Sequence, residues 1–300
     1  MNKEIRQILE NNNINIKKIT LKGNVKIIES NDDRYVIKRK KDSLSSLFKY
    51  LSSRSFENYP RKLFESINYD VYEYIEDIEQ PFEQKILDIV KLVSVLHSKT
   101  TFYKTIDSDE YKDLYESIVN RIDYLYDYYN NIVVLFEKEE FMSPAVYLML
   151  RNISLVFQTL NFCKTNINKW YEIINEKKRV RIVQLHNNLN VDHYMKNKYS
   201  YFISWEKSKR DLPIYDLLHL FDLYYYQVDF CDIIHIYEMN YPLLEEEKNL
   251  LFVMISLPDK IIFDDQEYLQ TIKVKRFYDK LKSANIVVSD YMSKEKKVSH

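Results

Sequence analysis

The sequence predicts an α+β fold, with a small β-rich lobe over residues 1–76 and a larger, mainly helical lobe over residues 77–300. Two observations predict this order. Up to residue 76 the apolar residues form short runs typical of strands, and beyond it they repeat at helical spacing over long segments. The chain has 300 residues, of which 46% are hydrophobic, enough to bury a sizeable core. The composition therefore indicates a folded chain and excludes disorder.

The charge balance argues against partners that are bound through a global electrostatic field. The 44 Lys and Arg residues offset 45 Asp and Glu residues, giving a formal net charge of −1, so neither nucleic acid nor an anionic membrane is favoured. No apolar run approaches the roughly 18 residues of a spanning helix. The polar start MNKEIRQILENNN lacks the apolar stretch of a signal peptide. We therefore expect a cytoplasmic protein without a membrane span, whose partner is a protein or small molecule that the sequence does not identify.

The β-rich lobe begins with three β-favouring runs, KKITL, NVKIIES and RYVIKRK, within residues 15–40. A helix is predicted over residues 43–53, and two further strands in KLFESI and DVYEYIE. The turn between the first two strands holds Gly23, the only glycine in the chain. Ordinary usage of about 7% would give about 21 glycines. A glycine-rich phosphate loop is therefore not expected.

The first helix of the second lobe is predicted to begin at Pro81, because proline suits the first turn of a helix. A stripe of apolar residues follows it at helical spacing. The same spacing predicts further helices over residues 110–137, 143–176, 214–237, 243–256 and 266–284. Between them, two β-favouring runs over residues 179–185 and 199–206 predict a small hairpin spanning residues 179–206.

Several motifs occur in an order that is similar to one known family: VIK, YEYIE, LHSKT, LHNNLNVDHYM, YFISWE and DLPIYDLLHLF. This order resembles the aminoglycoside phosphotransferase and choline kinase family, and within it the bacterial spore-coat kinase-like proteins. The resemblance implies a two-lobed protein-kinase-like fold. It makes Lys38 the third-strand lysine and places Glu73 and Ile75 in the segment that joins the lobes. Together with Gly23, these residues are the candidate nucleotide contacts.

The family's catalytic positions carry different residues in this chain. Aligning on His186 puts Asn188 at the position of the catalytic aspartate, His193 at that of the loop asparagine and Ser204 at that of the strand aspartate. In kinases the first orients and deprotonates the acceptor hydroxyl, while the other two hold Mg²⁺. An amide has no basicity near neutral pH, serine is neutral, and histidine offers nitrogen where Mg²⁺ prefers oxygen. The resemblance therefore implies a dismantled metal site.

Lys38 also lacks its usual partner in the sequence. The family pairs this lysine with a helix glutamate, but residues 42–54 contain none. Only Glu57 or Glu65 remains as a candidate partner nearby. The alternative is an exposed strand lysine within the basic run KRKK.

The residues that the family uses as scaffold are kept. The resemblance implies that His186 packs beneath the loop, and that Asp216 opens a helix and anchors the loop. A kept scaffold without its chemistry predicts a pseudokinase that acts as a binding or scaffolding module, with no cofactor expected.

Two alternatives stay open. One is an active phosphotransferase that transfers phosphate from ATP to a hydroxyl group, with Mg²⁺ held by Asp192 or Glu206 in a rearranged site. The other, which follows from the family resemblance alone, is a structural protein of a spore coat or envelope-associated layer.

Overall fold

The chain forms two compact units, each with a sheet of its own. The computed structural model describes residues 3–23, 25–31 and 33–298, except for the side chains of Asp42 and residues 294–298. The first unit comprises Met1–Leu92 and His186–Ser208, and the second comprises Val93–Leu185 and Lys209–His300. A small antiparallel sheet near the N-terminus and a larger helical part confirm the predicted α+β class. The predicted lobe boundary after residue 76 stays a prediction.

The first unit contains a five-stranded antiparallel sheet with the strand order β1-β2-β3-β5-β4. All five strands come from the runs that the sequence marks as β-favouring. Helix α2 also lies where it was predicted. The elements up to this point are α1 (Lys3–Asn11), β1 (Lys18–Lys22), β2 (Val25–Glu29), β3 (Arg34–Arg39), α2 (Asp42–Ser53), β4 (Lys62–Glu65) and β5 (Tyr69–Glu73).

Helix α1 covers one face of this sheet. Its buried residues share a core cluster with strand residues, namely Ile5, Ile8, Leu9, Ile14, Ile28, Ile37 and Val71. Successive side chains of a strand point to opposite faces. Val36 and Lys38 therefore lie on the face opposite to Ile37, and Val36 is paired in register with Tyr72 of β5. Helix α1 was not predicted, and it is the element that closes this side of the sheet.

The first unit also contains a short hairpin and the first part of a long helix. Strands β8 (Tyr194–Lys196) and β9 (Ser200–Phe202) pair with each other, between two short 3₁₀ helices at Val191–His193 and Trp205–Lys207. Helix α3 (Phe82–Thr100) begins just after Pro81, whose carbonyl accepts the Lys85 N–H at 3.0 Å. Pro81 therefore precedes the first helical residue instead of lying within the first turn.

The second unit holds a three-stranded sheet and most of the helices. Its sheet has the order β10-β7-β6. The remaining elements are β6 (Phe102–Thr105), α4 (Ser108–Phe136), α5 (Pro144–Arg151), α6 (Ile153–Glu176), β7 (Arg179–Leu185), β10 (Lys209–Asp211), α7 (Ile214–Tyr224), α8 (Phe230–Glu238), α9 (Glu245–Ser256) and α10 (Glu267–Val298). Among the described residues, none of the helices combines the length and the apolar character needed to cross a bilayer.

The predicted hairpin over residues 179–206 is wrong. Strand β7 pairs with β6 on one side and with β10 on the other, both antiparallel. The second run instead supplies β9, which pairs with β8. Pairing partners depend on distant parts of the chain, and a β-favouring run does not specify them.

Two predicted helices are each divided in the structure. The segment over residues 143–176 forms α5 and α6, separated at Asn152, whose side-chain Nδ2 donates to the Leu148 carbonyl at 2.9 Å. Side chains of this type compete with the backbone for hydrogen bonds and interrupt helices. The segment over residues 214–237 forms α7 and α8, and Asp229 caps the second by accepting the Cys231 N–H at 2.9 Å. Helix α10, in contrast, continues beyond the predicted residue 284.

The core of the second unit contains three buried polar side chains that are hydrogen-bonded in series. Asp216, His97 and Tyr237 are fully buried. The His97 Nε2 lies 3.1 Å from Asp216 Oδ2, and its Nδ1 lies 2.6 Å from the Tyr237 hydroxyl. In the neutral tautomer that satisfies both bonds, Nε2–H donates to the carboxylate and Nδ1 accepts from the hydroxyl. Removing one member strands a buried partner, which is costly.

We expect Asp216→Ala to lower the free energy of unfolding by about 1–3 kcal/mol, because the His97 N–H then lacks its acceptor. The matched control is Asp222→Ala on the same helix, where the carboxylate is 48% exposed and pairs with Lys280. Surface pairs of this kind contribute at most about 1 kcal/mol. Urea unfolding at constant slope measures both values. Equal losses in the two variants would contradict a structural role for this buried series.

Candidate functional site

A cavity of about 610 Å³ lies within the first unit, which is the size of a small-molecule site. It lies on the sheet face opposite to α1, because Val36 and Lys38 line it. Other lining residues come from the segment after β5 and from residues 192–206. The apolar lining includes Val25, Ile27, Val36, Ile75, Met195 and Ile203.

The cavity brings together most of the residues that the sequence singles out. Among its lining residues are Lys38, Glu73, Ile75, Asp192, His193, Ser204 and Glu206. Gly23, Asn188, His186 and Asp216 are not among them. Asn188 nevertheless contacts the loop that bears the lining residues, and Asp216 belongs to the buried hydrogen-bonded series of the second unit. Whether Asp216 also anchors this loop stays a prediction.

Lys38 forms an ion pair that the sequence did not predict. Its Nζ lies 3.2 Å from Glu206 Oε1, with side-chain exposures of 22% and 28%. Neither of the expected candidates is used: Glu65 pairs instead with Lys40 and Lys62. Burial raises the pKa of the Glu206 carboxyl, but the charge of Lys38 and hydrogen bonds outweigh it and lower the pKa overall. Glu206 is therefore ionised at neutral pH, and its carboxylate is held by Lys38.

Asn188, His193 and Ser204, the residues aligned with the family's catalytic positions, are linked through backbone contacts. Asn188 Nδ2 donates to the Ser204 carbonyl at 3.2 Å, and His193 Nδ1 lies 2.8 Å from the Asn188 carbonyl. Since a carbonyl only accepts, His193 carries its proton on Nδ1. Ser204 adopts a left-handed conformation, with φ 64° and ψ 51°. The side chains of Asn188 and His193 are thus hydrogen-bonded to the backbone of the same loop.

His186 supports the same loop. It is fully buried, and its Nε2 donates to the Ile203 carbonyl at 3.0 Å. Its ring packs against Phe202 and Trp205, with centroid distances of 4.9 and 4.7 Å. The residue before Ser204 is therefore held by a buried histidine, against which two aromatic rings pack.

The turn at Gly23 does not resemble a phosphate loop. Its φ of 57° requires the left-handed region that glycine adopts easily. No atom lies within 4 Å of where a Cβ would stand. The glycine therefore meets the needs of the turn, and the described surroundings show no close backbone approach that only glycine would permit.

The three aligned positions lack the carboxylate with which a kinase holds Mg²⁺. They offer an imidazole, an amide and a neutral hydroxyl, whereas this ion is usually bound through one or two carboxylates and the substrate phosphates. The Glu206 carboxylate is taken by Lys38. Over residues 3–23, 25–31 and 33–298, no cluster of three or more His, Cys, Asp or Glu side chains is arranged to hold a metal ion.

Sequence reasoning missed several lining residues: Lys22, Asp77, Met195, Ile203 and Trp205. The period-two alternation of β2 and β3 was the available signal for the sheet side of the cavity, since Ile27, Val36 and Lys38 share one face. The hairpin side gave no such signal, because its strands are only three residues long.

Structural comparisons agree with this architecture. An aminoglycoside phosphotransferase from Alicyclobacillus acidocaldarius subsp. acidocaldarius DSM 446 superposes with a TM-score of 0.68 and 10% identity, over 94% of this chain and 93% of that chain. A spectinomycin phosphotransferase superposes with a TM-score of 0.47 and 13% identity, over 94% of this chain and 98% of that chain. A choline kinase from Streptococcus pneumoniae superposes with a TM-score of 0.46 and 15% identity, over 94% of this chain and 97% of that chain.

No protein-family model and no curated protein sequence matches the chain. The first comparison extends over nearly the whole of both chains. It confirms the protein-kinase-like fold, with a small β-rich N-lobe and a larger helical C-lobe. At this low identity, the likeness shows the fold alone.

We expect Glu206→Gln to lower the free energy of unfolding at pH 7 by about 0.2–1 kcal/mol, the usual range for a partly exposed ion pair. The folded-state pKa of Glu206 lies below its ordinary value of 4.5. Its contribution is therefore present above pH 4.5 and is lost as the pH falls through the lowered value. Urea unfolding at pH 7 and at stepwise lower pH should show the difference from the parent shrinking.

The matched control is Glu10→Gln, whose carboxylate pairs with Arg6 on the surface at 67% exposure. It should change stability less than Glu206→Gln at pH 7. A loss in Glu206→Gln that persists unchanged below the lowered pKa would contradict the ion pair as its cause.

Proposed function

We propose that this protein is a catalytically defective kinase-like protein that works as a small-molecule binding module. One observation carries the proposal. At the positions where phosphoryl transfer needs a base and two metal ligands stand Asn188, His193 and Ser204, and two of their side chains are bonded to the loop's own backbone. A cavity of about 610 Å³ beside them is nevertheless kept.

The base position argues against catalysis. General-base catalysis contributes typically about 10²–10⁴-fold, and the amide of Asn188 cannot accept a proton at neutral pH. The amide also donates to the Ser204 carbonyl, which orients it toward the loop. Asn188 thus links two parts of the same loop by a hydrogen bond.

The cavity supports binding. Side chains from β2, β3 and the β8–β9 hairpin supply apolar surface, and a few charged groups stand among them. A mainly apolar lining with a small number of polar groups is typical of small-molecule sites. Binding therefore survives where the chemistry is lost.

No specific observation favours an active phosphotransferase. Both proposed rescue ligands, Asp192 and Glu206, line the cavity, but the Glu206 carboxylate is held by Lys38. The spore-coat or envelope role and the cytoplasmic location stay predictions.

We expect no Mg²⁺-dependent transfer from ATP to aminoglycosides, choline or similar hydroxyl acceptors, because a base and metal ligands are lacking. Coupled detection of ADP release with each acceptor measures this. A turnover above about 1 s⁻¹, the lower end for kinases, would refute the proposal.

We expect the double variant Ser204→Asp with His193→Asn to gain Mg²⁺-dependent ATP binding that the parent lacks. An asparagine amide nitrogen can replace His193 Nδ1 as donor to the Asn188 carbonyl, which leaves its oxygen for the metal. Aspartate tolerates the left-handed backbone of Ser204. Calorimetry with and without Mg²⁺ measures the gain.

The matched control for this experiment is Ser204→Asn with His193→Asn, which keeps the shapes but adds no carboxylate. It should show no gain. Equal binding by both double variants would mean that a carboxylate at residue 204 is not what the cavity lacks.

A further inference from the structure

We infer that strand β1 (Lys18–Lys22) is a docking edge that takes up an acidic, extended segment of a partner protein as a sixth strand of the first unit's sheet. Among the described residues, β1 is the terminal strand of the order β1-β2-β3-β5-β4 and pairs with β2 alone. An antiparallel pair uses the backbone groups of every second residue. The N–H and C=O groups of the other residues of β1 therefore point away from β2, where an added strand can bind them. The inference concerns this edge and does not depend on what the cavity binds.

The two edges of this sheet differ in how they are protected. Natural sheets blunt an edge with short strands, bulges or charges. Strand β4 has four residues, a register shift between Lys62 and Phe64, and an ion pair of Lys62 with Glu65 at 2.7 Å. Strand β1 has five residues, pairs with β2 without a register shift, and is exposed along its whole length. Strand β1 is therefore the edge that is open to another strand.

The side chains of β1 alternate between an apolar and a basic face. Ile19 and Leu21, which are 39% and 70% exposed, lie on the face that carries the core residue Ile28. Lys18 and Lys22 lie on the opposite face. A docked strand with the same alternation places apolar side chains beside Ile19 and Leu21, and acidic side chains beside the two lysines. Cross-strand pairs of both kinds stabilise a sheet.

The charge of this edge selects an acidic partner. Residues 11–28 contain four lysines and no acidic residue. Of the two acidic residues that flank this segment, Glu10 pairs with Arg6 at 3.3 Å, and Glu29 lies opposite Lys18 on β2. Extending the count from residue 11 to residue 34 gives five basic and three acidic residues. The edge therefore keeps an excess of positive charge, which attracts carboxylates.

The same lysines disfavour the pairing of β1 with a second copy of itself. An antiparallel pair of identical strands centred on Thr20 sets Lys18 of each copy opposite Lys22 of the other. Like charges directly opposite each other destabilise a sheet. The lysines thus reject self-association and accept an acidic strand, and attraction combined with repulsion is what gives an interface its specificity.

Seven-residue peptides of alternating glutamate and valine, with the sequence EVEVEVE and a fluorescent label, test the inference on the full chain by fluorescence anisotropy. The parent should bind this peptide at least tenfold more tightly than the matched peptide of alternating lysine and valine. Equal binding of the two peptides, or binding of neither, would overturn the inference.

Two N-methylated forms of the glutamate–valine peptide test for strand pairing. One form carries its methyl groups on the glutamate amides, and the other carries them on the valine amides. Only every second residue of an added strand donates to β1. One form should therefore bind at least tenfold more weakly than the unmethylated peptide, while the other keeps its affinity. Equal affinities of the two forms would refute strand pairing, because a purely electrostatic contact does not distinguish alternate amides.

Amide hydrogen exchange locates the bound peptide. The glutamate–valine peptide should slow the exchange of amides in β1 and leave those of β4 unchanged. Slower exchange in the cavity lining of residues 192–206 without any change in β1 would overturn the inference. Slower exchange in β1 that follows protein concentration without peptide would assign the edge to a second copy, which also contradicts the acidic partner.

Charge reversal of the edge tests the role of the lysines. The variant Lys18→Glu with Lys22→Glu should invert the preference between the two peptides. The matched control is Lys169→Glu with Lys275→Glu, two exposed helix lysines of the second unit, which changes the net charge equally and should keep the parent's preference. An unchanged preference in the β1 variant, or the same inversion in the control, would overturn the inference. Unfolding midpoints show that both variants fold, and the peptide comparisons on the parent remain decisive if one does not.

Discussion

The ion pair between Lys38 and Glu206 sets the character of the cavity. It joins β3 to the segment that follows β9, two parts of the first unit separated by 168 residues in the chain. Each charge is partly withdrawn from water, and breaking such a pair leaves an uncompensated charge. The pair therefore fixes the polar end of the cavity. In protein kinases the third-strand lysine pairs with a helix glutamate, whereas Lys38 takes its carboxylate from the segment that follows β9.

The pleat of the N-terminal sheet makes the pair possible. Because side chains alternate, Ile37 enters the core beneath α1 while Lys38 faces the cavity. A one-residue slip of β3 would exchange these faces and place a charge in the core. The antiparallel register with β5, which sets Lys38 opposite Asp70, holds the strand against such a slip. The burial of Ile37 on one face of the sheet thus determines that Lys38 lies on the face that lines the cavity.

The sequence predicted the five strands well because their period and their turns are local properties. Helix α1 was missed, since its stripe of Ile5, Ile8 and Leu9 is short and lies in a polar segment. The predicted pairing of β7 was wrong, and the ion pair of Lys38 with Glu206 was not predicted. Both failures have the same reason. Both depend on contacts between residues far apart in the chain, which no local pattern encodes. Motif order, in contrast, identified the fold and seven of the twenty residues that line the cavity.

The hydrogen bonding of the loop around Asn188 supports the proposed binding role. An enzyme keeps polar groups unsatisfied or strained so that they can engage a substrate, and this costs stability. In this chain the side chains of Asn188 and His193 donate hydrogen bonds to carbonyl groups of the same loop. His186 donates a hydrogen bond to the carbonyl of the residue before Ser204. Satisfied groups of this kind rigidify a loop. A rigid loop beside the cavity is suited to holding a ligand in one geometry, which lowers the entropic cost of binding and so fits the proposed binding module.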